Sequence, residues 1–350
     1  MARAGGVDVA LSTLGTGEGA SHDADEVQEL REALRRALGN DRTAAPQIDT
    51  DWRSGWPAIA GLGVTALCVA EGAGGFGFRV DAAVGAAMEL GAALHAAPFA
   101  GMTASAHAIS QDSDAAGELL SLLLTGDQSC AYGQLRAGVA RLVDGAAEAD
   151  ALVLADEAGG LILVRDRSDW DADPAHHSFD VSRRCADVRV KAGAGDPVHA
   201  DASPALLHRL LLSADAVGGV QLMLDRTVDY AKQRQAFSKS IGGLQVVQHR
   251  LVEHAVRTRG MALLVNEAAR QLGTGSPDAG RLVAMAEVSV SSGASRILHD
   301  LLQLTGAIGF TWEYGLHYFQ RRAHSSARLA ANPKAAIRAL AGLEGWTDAG

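Results

Sequence analysis

The apolar pattern of this 350-residue chain changes period once and then changes back, and that alternation restricts the fold more than any other feature. Before about residue 126 and again after Pro204, apolar residues recur at helical spacing. Between about 128 and 200, SCAYGQL, ALVLA, LILV and ADVRV are short β-prone runs separated by Gly, Asp and Ser. The order predicts a mainly α protein carrying a small β domain. It divides into a flexible tail over 1–20, an N-terminal helical domain over 21–126, a β middle domain over 127–203 and a C-terminal helical bundle over 204–350.

Within the first helical region, Val27, Leu30, Leu34 and Leu38 share one helix face, and Gly39-Asn40 follow as a stop. The stretch 56–78, WPAIAGLGVTALCVAEGAGGFGF, reads as a short helix, an apolar segment and a glycine loop. Asp81 reads as the N-cap of an Ala-rich helix over 82–94, and further helices fit 101–110 and 114–124. After the β region, long helices are expected at 204–236, 245–273, 280–305 and 332–345.

Several function classes drop out on charge and composition. A net charge of −10 repels nucleic-acid phosphates. No apolar run approaches the roughly 20 residues a membrane span needs. The first twenty residues lack a basic segment followed by an apolar one, so the expectation is a cytoplasmic protein. Cys68, Cys130 and Cys185 stand far apart, without the spacing of a zinc site or a disulfide framework. Asp166, Asp169, Asp171 and Asp173 around Trp170 read as a solvated loop, not a metal site.

Two C-terminal stretches carry chemistry: YAKQRQAFSKSIGGLQVVQHRLVE at 230–253 and LLQLTGAIGFTWEYGLHYFQRRA at 301–323. Both resemble the acyl-CoA dehydrogenase family, as does the pattern formed by Glu71, Gly74, Gly75 and Gly77. The resemblance implies that family's fold, with a helical N-terminal domain, a β middle domain and a C-terminal four-helix bundle. It also implies that Arg234, Phe237, Gln245, Gln303 and Gly306 contact FAD. The residue types suit a dinucleotide. Arg234 offers a fork of donors to a pyrophosphate, Phe237 an apolar face, Gln245 and Gln303 amides, and Gly306 close backbone approach, while Ala307 stands where a glycine is usual.

The family's catalytic glutamate is missing from both places the resemblance points to. Counting from Gln303 reaches Ala330, and the alternative location, at the start of the first long C-terminal helix, holds His208. The β region also lacks the segments that hold the flavin ring in family members, which makes it a reduced β domain. The chain thus keeps elements that reach a neighbour's FAD and lacks those that serve its own. That combination resembles the short, base-free subunits of actinobacterial two-gene steroid acyl-CoA dehydrogenases. It implies no catalytic residue and no metal in this chain, and an FAD shared with a catalytic acyl-CoA dehydrogenase subunit in an α2β2 assembly. It further implies a steroid acyl-CoA substrate and electron-transfer flavoprotein as acceptor. Two alternatives stay open: a stand-alone flavoenzyme using another base such as His208, and a flavin-free structural subunit.

Overall fold

The computed structural model describes residues 18–39, 48, 51–174, 179–236, 238–330 and 333–346. Residues 1–17 of the expected tail, Asn40 of the expected helix stop and Phe237 lie outside them. The chain opens with α1 (Glu18–Ala37), α2 (Trp52–Ala60), α3 (Val80–Ala92), α4 (Phe99–Ser110) and α5 (Ser113–Thr125). α1 lies on α3 by its apolar face, and Arg31 and Arg35 converge on the buried carboxylate of Glu89 at 2.8 and 2.7 Å. Asp81 is not a cap. The helix begins at Val80 behind Arg79, and the Asp81 side chain turns back onto the Arg79 guanidinium at 3.3 Å, which competes with capping for its oxygens.

Seven strands follow: β1 (Cys130–Arg136), β2 (Val139–Asp144), β3 (Ala151–Ala155), β4 (Leu161–Val164), β5 (Trp170–Pro174), β6 (Cys185–Val190) and β7 (Asp196–Val198). They form one sheet in the order β5-β6-β2-β1-β3-β4-β7, in which the β1–β3 pair is parallel and the others antiparallel. The sheet alternates faces residue by residue. Cys130, Tyr132, Val153 and Leu163 pack with α4 and α5, while Ala131, Leu152, Leu154 and Trp170 fill a second core on the other side. Apolar runs such as ALVLA are buried on both faces, which is why they carry no polar alternation. The acidic stretch around Trp170 is a turn leading into β5, so the loop expectation is corrected. Trp170 is buried and Asp171 and Asp173 point to solvent, the pattern of an edge strand.

The C-terminal half consists of α6 (Ser203–Gln233), a small hairpin of β8 (Gln235–Ala236) and β9 (Lys239–Ser240), α7 (Gln245–Gly273), α8 (Ala279–Thr305), α9 (Leu316–Ala330) and α10 (Pro333–Leu343). α6 is the central element and is buried along most of its length. It packs on α3 backbone to backbone: a β-carbon on Gly218 would sit 1.9 Å from the Met88 carbonyl oxygen, and one on Gly91 would sit 2.1 Å from that of Asp215. No ligand fits between two helices in such contact. Gly218→Ala is expected to push them apart and lower stability by about 1–3 kcal/mol, read by chemical denaturation. A loss below about 0.5 kcal/mol would show that the crossing can relax. No helix among the described residues is long and apolar enough to cross a membrane.

Candidate functional site

The motif residues assemble at one end of the bundle. α7 and α8 run antiparallel, with Met261 against Gly293 and Arg250 paired with Asp300. At 1.5 Å per residue, Gln245 lies about 8 Å beyond Arg250 and Gln303 about 5 Å beyond Asp300, toward the same end. α6 reaches that end too, because Thr227 and Tyr230 meet Tyr314, in the segment after α8, at 3.3 Å and at a ring-centroid distance of 6.1 Å. Arg234 caps α6 one turn after Tyr230, and its carbonyl accepts from the Ile241 N–H at 2.9 Å, which closes the hairpin toward Gln245.

Arg234, Gln245, Gln303 and Gly306 are therefore neighbours at one surface, and all four are exposed. Arg234 makes no ion pair or side-chain hydrogen bond with the described residues. Gly306 ends α8 at φ 64°, ψ −140°, a conformation reserved for glycine, with no atom within 4 Å of where a β-carbon would lie. An uncompensated guanidinium beside an open glycine backbone fits a phosphate-bearing ligand. Around them Val246, Phe310 and Trp312 are 65, 64 and 62 % exposed, far more apolar surface than isolated side chains explain. Nearby, His254 is held neutral by burial, reinforced by Arg257, and its Nε2–H donates to Asp300 at 2.5 Å.

The two positions expected to have lost the carboxylate also come together. Ala330 ends α9 and His208 lies near the start of α6, and both line one cavity of about 230 Å³ beneath the β1–β2 turn. None of the residues lining it is Asp or Glu. The His208 imidazole is buried, and its pKa is pushed down to about 3 by desolvation first and then by Arg183 and Arg209, so at neutral pH it is an uncharged and poor proton acceptor. β1 and β2 are joined by the two-residue turn Ala137–Gly138.

Asp215 and Glu313, the other carboxylates weighed as a base, do not line this cavity. Asp215 is buried between Arg322, at 2.7 Å, and Arg183, at 3.1 Å. Glu313 is exposed at the far end of the bundle beside Trp312. Cys68, Cys130 and Cys185 are buried free thiols, all pushed up by desolvation, Cys130 to about 12, so none is a nucleophile. Among the described residues no group of His, Cys, Asp and Glu is arranged to hold a metal. Sequence reasoning missed the arginines that surround the cavity, because they come from β1, β2, α6 and α9 and share no local pattern.

Residues 203–330 match the family model for the acyl-CoA dehydrogenase C-terminal domain. The chain is similar to the acyl-CoA dehydrogenase IpdE2 of Mycobacterium tuberculosis, at 28 % identity over 88 % of this chain and 90 % of the relative. It is 29 % identical to the acyl-CoA dehydrogenase FadE34 of the same organism over 78 % of this chain and 39 % of that longer protein. Among solved structures it superimposes on the Tcur3481-Tcur3483 steroid ACAD with a TM-score of 0.80 at 20 % identity, covering 93 % of this chain and 99 % of that one. It also superimposes on the ChsE4-ChsE5 complex of Mycobacterium tuberculosis with a TM-score of 0.77 at 19 % identity, covering 96 % and 99 %.

Proposed function

We propose, from the premise that residues 203–330 belong to the acyl-CoA dehydrogenase family and that the whole chain has that family's fold, that this protein is a non-catalytic, FAD-contacting subunit of a heteromeric acyl-CoA dehydrogenase. The observation that carries this reading is the convergence of Ala330 and the neutral His208 on one cavity whose lining holds no carboxylate. α-Proton abstraction from a CoA thioester needs a base within hydrogen-bond reach, and this chain offers none there.

Arg234, Gln245, Gln303 and the backbone at Gly306 would hold the dinucleotide end of an FAD whose ring sits in a partner subunit. Phe237, outside the described residues, would lie beside them. When bound, FAD supplies the hydride acceptor, which electron-transfer flavoprotein would reoxidise. This chain's own contribution is charge for the phosphates and an apolar rim, formed by Phe310 and Trp312, that a second subunit would cover. The likeness to a steroid ACAD and to a complex of two different chains supports an α2β2 assembly with a steroid acyl-CoA as substrate class.

Flavin absorbance and mass, measured on the chain expressed alone and then with an adjacent acyl-CoA dehydrogenase gene product, test the reading. A colourless single chain and a yellow heterotetramer are expected. A single chain that binds stoichiometric FAD and oxidises an acyl-CoA would overturn it.

A further inference from the structure

The cavity that holds Ala330 and His208 is strongly cationic in a chain of net charge −10. Arg136, Arg141, Arg209 and Arg328 line it, with no acid among its lining residues. Two of these charges are already matched. Arg209 reaches the buried Glu287, with Nε 2.7 Å from Oε2, and Arg141 meets Asp187 at 2.9 Å. Arg136 and Arg328 are exposed and make no ion pair or side-chain hydrogen bond with the described residues, so the cavity presents two uncompensated guanidinium groups.

A second, independent feature points to a ligand. The Tyr132 side chain is 5 % exposed and lines the cavity, yet its buried hydroxyl has no hydrogen-bond partner. Leaving such a group unpaired is unfavourable, so an acceptor at that position would be favoured. Its ring leans on His208, with centroids 4.9 Å apart. Tyr132 and Arg136 also line an adjoining cavity of about 590 Å³, whose far side carries Asp156, Glu157 and Asp201.

We propose that this cavity is a binding site for a small molecule with a dianionic head, a phosphate monoester or a dicarboxylate. The head is clamped between Arg136 and Arg328 and accepts a hydrogen bond from the Tyr132 hydroxyl. The body of the ligand extends into the adjoining cavity, and the acids there exclude a second anionic group. Two free guanidinium groups match a charge of −2, and their planar forks suit either oxyanion bidentately. The proposal does not rest on the FAD reading. His208 and Arg234 are 26 residues apart on α6 and its cap, about 39 Å at helical rise, so the two sites occupy opposite ends of that helix.

Isothermal titration of the purified full-length chain with inorganic phosphate and with succinate, at fixed chloride concentration, tests it. Saturable binding of at least one probe is expected, and the tighter of the two identifies the head group as phosphate or carboxylate. The double variant Arg136→Gln with Arg328→Gln should bind at least tenfold more weakly, and Tyr132→Phe about threefold or more. Lys191→Gln, which removes an exposed charge elsewhere, should leave the affinity unchanged. Absence of saturable binding of either probe, or equal binding by the double variant, would overturn the site. So would equal weakening by Lys191→Gln, which would assign the affinity to overall charge.

Discussion

Asp215→Ala is expected to lower the unfolding free energy by about 3–5 kcal/mol, the range for removing one partner from a buried ion-pair network. Asp215 lies on α6, where its two oxygens accept from Arg322 Nε at 3.0 and 3.2 Å and from Nη2 at 2.7 Å, and Oδ1 accepts from Arg183 Nη2 at 3.1 Å. Arg183 keeps Asp144 at 2.5 Å after the substitution, but Arg322 is left with only neutral partners, the Ser182 hydroxyl and the His95 carbonyl. A guanidinium buried to 3 % exposure without a carboxylate is the source of the loss. The network joins the end of β2, the segment before β6, α6 and α9, so the sheet and the bundle should loosen against each other.

The pH dependence follows from the same groups. Burial alone would raise the Asp215 carboxyl, but Arg322 and Arg183 more than offset it and hold it below the usual carboxylate range. A carboxyl depressed in the folded state adds stability above its unfolded pKa of about 3.9, and that stability fades as pH falls through the folded value. Denaturation curves of the wild type and of Asp215→Asn should therefore lie apart at neutral pH and converge below about pH 4. A difference under about 1 kcal/mol at pH 7, or one that persists unchanged into acid, would show that the pair does not act in this way.

Arg234→Ala should weaken FAD retention by the assembled heteromer roughly ten- to a hundredfold, since a charge-assisted contact to phosphate is worth about 1.5–3 kcal/mol. Arg234 is exposed at the end of α6, so the same change should move the folding stability of the isolated chain by no more than about 0.5 kcal/mol. That separation makes the measurement informative. Arg234→Lys, which keeps the charge but loses the planar fork, should fall between the two. Flavin content after dialysis of co-expressed complexes reads the effect, and full retention in Arg234→Ala would remove this residue from the cofactor site.

The α-β-α order, the helix over 245–273 and the β-strand character of ALVLA were legible because periodicity and β-propensity are local properties that backbone geometry imposes directly. Counting from Gln303 to Ala330 used the same local pattern, whereas the fact that Ala330 and His208 line one cavity is decided by how α6 and α9 pack. β2 escaped notice because its register shifts between Ala140 and Val143, with Leu142 at φ 54°, which breaks the alternation. β5 escaped because its exposed aspartates resemble a loop when the sheet that buries Trp170 is not seen.

What the sequence determined by itself was local: element type, approximate boundaries and the residue types at the family's motif positions. Only the tertiary structure could decide which distant residues meet, because such meetings depend on how whole elements pack and leave no trace in neighbouring residues. Asp215 finds Arg322 across a sequence separation of 107, and Arg136 finds Arg328 across a cavity built by a strand turn and the end of a helix. The exposed end with Arg234 and Gln303 is the intermediate case. The sequence supplied its residues, and the antiparallel pairing of α7 with α8, together with the contact of Tyr230 on α6 with Tyr314, brought them to one end of the bundle.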